Sequence, residues 1–452
     1  NYNKEEGVII DTDLERLGLR ANSEFRLSDR ITIGESLGVS RLRVNDESHL
    51  TNFNSLLVAT IASPYMPVYD ENALGGFGGP TDTLTGNNER TNPVAEQLLN
   101  RNDYFENRIM SSVFANIEIL KGLTYELKLG YNLWNTQRTQ WSPEYTLGNL
   151  RLRDNARSKL DERNSYNTEL NLTNILRYEN SFGEHNLSVM AAYEIADMEW
   201  EYINAVGNDI VSPDLPVLDQ AETATAVTGG VEEHKLESYL GRLTYDYMGK
   251  YLLTASVRVD GSTRFGPLGG RYGTFPSFSL GWKLNEDLLR NSSWVNLLKL
   301  RAGWGQTGNE NLQDYWYFAL LDPAVNSRYT FGANQDLYLS SVATSFQSNP
   351  FIKWEAAEMI NLGADLNAFG NRLQFTAEYY IKNQRDMLVQ KSISTTFGKY
   401  VAYGPTTTVA SWANIGRVQN RGFEFNASWR KLTGEFNYTV SFNLSTIKNE
   451  VI

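Results

Sequence analysis

Gly303-Trp304-Gly305-Gln306-Thr307-Gly308 has the G-x-G-x-x-G spacing that lays backbone amides against a pyrophosphate, and Asp322 stands about where a ribose-binding acid belongs. The flanking residues refuse that chemistry. Upstream, residues 298–302 alternate with Lys299 and Arg301, whereas a buried parallel strand is continuously apolar. Downstream, Asn309-Glu310-Asn311-Leu312-Gln313 opens no apolar helix. These glycines read as the rim of a strand where the chain turns into a long loop. Leu74-Gly75-Gly76-Phe77-Gly78-Gly79-Pro80 lacks the Lys-Ser/Thr of a phosphate cradle and reads as a loop tip. Carboxylates such as Asp11, Asp13, Glu232 and Glu233 are plentiful, but nothing sets two of them at a glycosidase separation, and no G-x-S-x-G elbow occurs. His49, His185 and His234 are far apart, show no metal-ligand spacing, and are each expected at a surface or in a loop. The reading is no enzyme, no metal site and no cofactor.

Composition narrows the partners. The chain carries 41 Lys+Arg against 53 Asp+Glu, a net charge of -12, which argues against nucleic acid because phosphate binding needs a basic patch. It has no Cys, so disulfides, thiolate metal sites and lipidated cysteines are excluded within it. Aromatic residues make up 12% and Pro is scarce, which suits strands. No apolar run is long enough for a spanning helix; residues 56–62 come nearest.

The elements that must position any site are strands. In 123–134, LTYELKLGYNLW, the residues Leu123, Tyr125, Leu127, Leu129, Tyr131 and Leu133 alternate with Thr124, Glu126, Lys128, Gly130 and Asn132. The same period recurs from residue 17 to residue 444, giving about fourteen strands, each near the ten residues a tilted membrane strand needs. Short links (28–30, 121–122, 183–184, 248–250, 370–371 and 433–434) alternate with long ones, roughly 45–105, 136–162, 201–236, 308–355 and 387–414. Tight turns on one side and long excursions on the other describe an antiparallel up-and-down transmembrane β-barrel, with periplasmic turns and extracellular loops. The apolar face then meets lipid and the polar face lines a lumen. Tyr131, Trp134, Tyr193, Trp282, Trp304, Tyr379 and Trp429 are candidates for the aromatic girdles at the membrane interfaces. Loop aromatics, with Trp316, Tyr317, Tyr329, Tyr400 and Tyr403 as candidates, could stack on a sugar, grip a partner or pack within their own loops. A soluble β-rich carbohydrate-binding protein or propeller is the alternative, burying the same apolar faces.

Four stretches go beyond pattern: SVRVDGSTRFGPLGGRYGTFPSFSLGWKLNED (256–287), LKLRAGWGQTGNENL (298–312), NPFIKWEAAEMINLGADLNAFGNRLQFTAEYYIKNQRDMLV (349–389) and NIGRVQNRGFEF (414–425). In order and spacing they resemble the SusC/RagA family of TonB-dependent outer-membrane transporters, and the similarity continues upstream through 64–70 and Asn92-Pro93-Val94. The resemblance implies a barrel of ~22 strands around an N-terminal plug, of which residues 1–452 form a part, about 14 strands. It implies an integral protein of the outer membrane of a Gram-negative, Bacteroidota-type bacterium, set among lipid and lipopolysaccharide. It implies import of a small oligosaccharide or peptide, energised by TonB pulling on the plug, beneath a SusD-like surface lipoprotein lid in a dimer of transporter–lid pairs. A siderophore-type receptor and a passive porin are the alternatives. The plug is expected to lie outside this chain, and an open gap is expected between the strand near Leu14 and the strand near Phe436. Counted along the family, the loops at 308–355 and 387–414 are the seventh and eighth extracellular loops, where the lid lipoprotein would make contact.

Overall fold

Alternation of apolar and polar residues puts one side chain on each face in turn, and every such run in this chain forms a strand. The structure is a computed structural model that describes residues 1–47, 55–62, 64–79, 92–147, 155–319, 321–322, 343–344, 348–392 and 410–452. In chain order the first elements are β1 (Tyr2–Glu6), β2 (Asp13–Ser28), β3 (Ile31–Asn45), α1 (Ser55–Ile61) and α2 (Pro93–Leu99). They are followed by β4 (Arg101–Leu120), β5 (Leu123–Ser142), β6 (Lys159–Phe182), β7 (His185–Ile210) and β8 (Ala221–Tyr247). Next come β9 (Tyr251–Ser262), β10 (Tyr272–Lys283), β11 (Val295–Asn309), β12 (Leu321–Asp322) and β13 (Ala343–Thr344). The last are β14 (Glu355–Ala368), β15 (Leu373–Arg385), β16 (Leu388–Ser392), β17 (Ala410–Asn414), β18 (Val418–Lys431) and β19 (Tyr438–Val451).

Fifteen strands form one antiparallel sheet in sequence order, with β1 and β19 at its two edges. The small pairs β12–β13 and β16–β17 stand apart from it in the long links. The wall is therefore all-β and open. Tight turns close one end, where Gly122 (φ 82°) and Gly183 (φ 61°) take the left-handed backbone that a side chain would strain. The longest excursions leave from the opposite end, as the link lengths predict, although the β10–β11 link at 284–294 makes the tight-turn end uneven.

Strand length departs from expectation. β6, β7 and β8 run 24, 26 and 27 residues, so the ladders continue through much of the expected loops at 136–162 and 201–236. A membrane needs only about ten residues of strand. The remainder stands above it, paired by register alone, with Glu199 and Glu201 on the face that carries Tyr193 and Ile195 lower down.

Candidate functional site: the inner wall and its loops

The two faces of the sheet differ in chemistry. Leu19, Phe25, Val113, Leu129, Leu170, Val257, Leu280, Leu362 and Phe442 lie exposed on one of them with no protein packed over them. Of the buried apolar clusters among the described residues, two lie in the long links, and the third, Trp141, Leu160 and Ile210, sits at the upper ends of β5, β6 and β7. A contiguous apolar band of this extent calls for lipid. The other face is concave: one cavity of about 440 Å³ is lined from Ser36 on β3 round to Arg258 on β9, which requires the intervening strands to curve about it.

The aromatic candidates divide between the faces. Tyr131 shares the apolar face with Leu129 and Val113. Trp282 stacks at 6.3 Å on Tyr251 and donates its indole N–H to Asp287 at 2.9 Å, near the tight turns. Trp429 lies 6.0 Å from Phe369 at the same end. Tyr379 faces Phe423 at 4.7 Å, midway along its strand. At the long-loop end the Trp304 N–H meets Glu358 at 2.9 Å, and the hydroxyls of Tyr193, Tyr239 and Tyr272 all donate to Glu237. Trp134 is different. Strict alternation places it beside Asn132 on the inner face, where the Arg108 guanidinium lies 5.6 Å from its ring centre.

On the inner face charges are answered in groups. Arg258 meets Glu194 at 3.0 Å and Asp260 at 2.7 Å, and donates to Ser238. Arg301 pairs with Asp365 and Glu378. Next to it a trough of about 770 Å³ is floored by Ser256, Ser277, Gly303 and Gly305. A Cβ on Gly305 would stand 2.9 Å from that of Ser277, so the bare backbone is needed for the strands to fit. The G-x-G-x-x-G run is thus the last stretch of β11, at the rim.

The long links fold onto the mouth of the wall. Phe265, Leu312 and Ile352 are buried together, with Trp316, Tyr317, Trp354 and Trp412 packed against them. Two of the candidate contact residues, Trp316 and Tyr317, are therefore partly committed to a loop core; Tyr329, Tyr400 and Tyr403 lie outside the described residues. His234, expected at a surface, is instead buried. One ring nitrogen donates to Glu310 at 3.2 Å and the other lies 3.4 Å from Asp314, while Arg264 also reaches Asp314. His234 lies thirteen residues beyond Tyr247, about 33 Å up a tilted strand and clear of the ~25 Å apolar band. Burial pushes its imidazole down, but Asp314 and Glu310 outweigh that and carry it up to about 9. The sequence shows no signal for this clamp, because its partners lie 76 residues apart.

A second buried group sits in the β3–β4 link. The Asn92 side chain caps α2 by accepting from Val94 and Ala95. That turns Glu96 inward, where both carboxyl oxygens are buried without a hydrogen bond. Burial, with the nearby Glu47, pushes this carboxyl up to about 7.

An open, inside-out sheet with a polar concave face, tight turns below and folded loops above defines the wall of a transmembrane β-barrel. The description "TonB dependent receptor-like, beta-barrel" fits residues 46–450, and the chain belongs to that family. TonB-dependent receptor P39 of Formosa agariphila is 32% identical over 375 residues, covering 80% of this chain and 33% of the relative. TonB-dependent receptor SusC of Bacteroides thetaiotaomicron is 29% identical over 394 residues, covering 84% and 36%. The chain thus spans about a third of the length of these two relatives. Among solved structures, the RagAB peptide transporter superposes with a TM-score of 0.81 at 21% identity, over 100% of this chain and 48% of that one. The siderophore receptor PirA of Acinetobacter baumannii gives 0.53 at 13% identity, over 98% and 56%.

Proposed function

We propose that this wall is part of an importer in the outer membrane of a Gram-negative, Bacteroidota-type bacterium, carrying a small oligosaccharide or peptide inward with energy drawn through TonB. The observation that carries the reading is the pairing of a lipid-facing apolar band with a charged concave face in a chain of the TonB-dependent receptor family. In lipid every backbone donor and acceptor needs a partner, so β1 and β19 are continued by further strands in the working receptor. A plug fills the lumen and meets TonB, and a SusD-like lipoprotein closes over the loops at 308–355 and 387–414. The better fit to RagAB than to PirA supports a SusC-type over a siderophore-type receptor.

The experiment is uptake by native cells with the gene deleted and restored, on a panel of purified oligosaccharides and peptides with and without a protonophore. The reading expects one class of cargo to enter only with the gene and only with proton-motive force. Protonophore-insensitive entry would indicate a porin, and rescue confined to iron-starved cells a siderophore receptor.

A further inference from the structure

Arg258 and Arg301 beside the cavities are matched by carboxylates, whereas a group above the bilayer is not. Register carries a row across the inner face from Arg108 to Trp134, Asn167 and Trp200 on β4 to β7. Four residues further up, Arg138 and Arg163 stand directly opposite each other. Like charges opposed across a ladder destabilise it, and here no described carboxylate lies within ion-pair distance of either, or of Arg108.

Each arginine is nonetheless held in place. Arg108 lies over Trp134, with its Nε buried and without a hydrogen-bond partner. The Arg163 guanidinium lies 4.5 Å from the Tyr202 ring centre and 5.7 Å from that of Trp200. Arg138 donates its Nε to Asn102 at 3.0 Å, which leaves its terminal nitrogens to point elsewhere. Four acids stand on the same face without reaching these guanidiniums, among them Glu169, which accepts from Asn132 at 3.1 Å. Glu106 accepts from Tyr104 at 2.9 Å, Asp161 pairs with Lys159 at 3.4 Å, and Glu232 stands across the row beyond Trp200.

A guanidinium fixed on an aromatic face is preorganised to receive a carboxylate or sulfate in bidentate fashion. Trp134 and Trp200 are two strands apart, about 10 Å, with the Asn167 amide between them. Aromatic rings flanking an amide fit a hydroxyl-rich ring better than a peptide side chain. We propose that Arg108, Arg138 and Arg163, with Trp134 and Trp200, form a subsite on the inner wall for an acidic oligosaccharide, carboxylated or sulfated. This rests on the import reading above.

The experiment is equilibrium binding to the detergent-purified full-length receptor, which needs neither TonB nor an energised membrane. A failure here therefore touches the subsite, while a failure of energised uptake touches the import reading. Probes are tetragalacturonate, a sulfated heparin tetrasaccharide, neutral maltotetraose and tetraglutamate. At least one acidic sugar should bind more tightly than maltotetraose, and Arg108→Gln and Arg163→Gln should each weaken it about tenfold or more, the share of one charge-assisted hydrogen bond. Trp200→Ala should weaken it with the fold intact by heat-modifiable gel migration. Raised salt should weaken acidic probes alone. Equal binding of neutral and acidic sugars, no acidic sugar bound, loss-free arginine variants, or tetraglutamate bound best would each overturn the proposal.

Discussion

Above pH 9 the clamp on the loop after β11 should open. His234 is carried from its ordinary 6.5 to about 9, a difference worth roughly 3.5 kcal/mol at ~1.4 kcal/mol per tenfold. The side chain is 7% exposed, so water screens the pair little. Because the folded value is raised, the contribution is complete below about 6.5 and is lost as pH rises through about 9. The perturbation is alkaline pH in the parent receptor and His234→Asn at any pH. Hydrogen exchange of residues 310–318, corrected for the intrinsic rate, reads the opening directly. Protection should fall about a hundredfold between pH 6 and pH 10 in the parent, and stay low and flat in His234→Asn. Equal protection at both pH values in the parent, or the same pH dependence in the variant, would refute the clamp.

Leu129 stands between Val113 and Leu172, about 16 Å up from the turn at Gly122 and so well inside the apolar band. Leu129→Arg should cost about 2–4 kcal/mol in vesicle unfolding midpoints, whereas Ser112→Arg, aimed into the cavity, should cost under ~1 kcal/mol. Glu96 has a raised folded value, so below about 4.5 it is neutral in both states, and stability falls as pH climbs from there through about 7. Glu96→Gln should remove that pH dependence and protect α2 amides at pH 8. Deleting residues 315–329 from the full-length receptor should release a SusD-like partner in pull-down while leaving membrane insertion unchanged.

Much of the wall was legible because alternation is a local signal. Leu127 and Lys128 declare opposite faces without any knowledge of their neighbours, and the short links locate the turns. Strand ends were less legible. Above the bilayer both faces meet water and the alternation changes phase, with Met198, Trp200 and Tyr202 inward against Glu199 and Glu201 outward, so no continuous apolar row marks the fully paired strand there. Trp134 was misplaced because its aromatic character outweighed its parity with Asn132. The sites were least legible of all. His234, Glu310 and Asp314, like Arg138 and Arg163, meet only through pairing of distant segments. The burial of Glu96 depends on how α2 docks against the loops.

The central claim is that the apolar face meets lipid and the polar face meets an aqueous lumen. Single cysteines can be set along 123–134, in a chain without cysteine, and spin-labelled in vesicles in the full-length receptor, with any cysteine elsewhere in it replaced by serine. The measurement is collision with oxygen, which concentrates in lipid, against collision with a water-soluble nickel chelate. The account predicts a period of two, with 125, 127, 129 and 131 favouring oxygen and 126, 128, 130 and 132 favouring nickel. Residues 125–131 shielded from both reagents on the apolar positions, as in a soluble core, would contradict it.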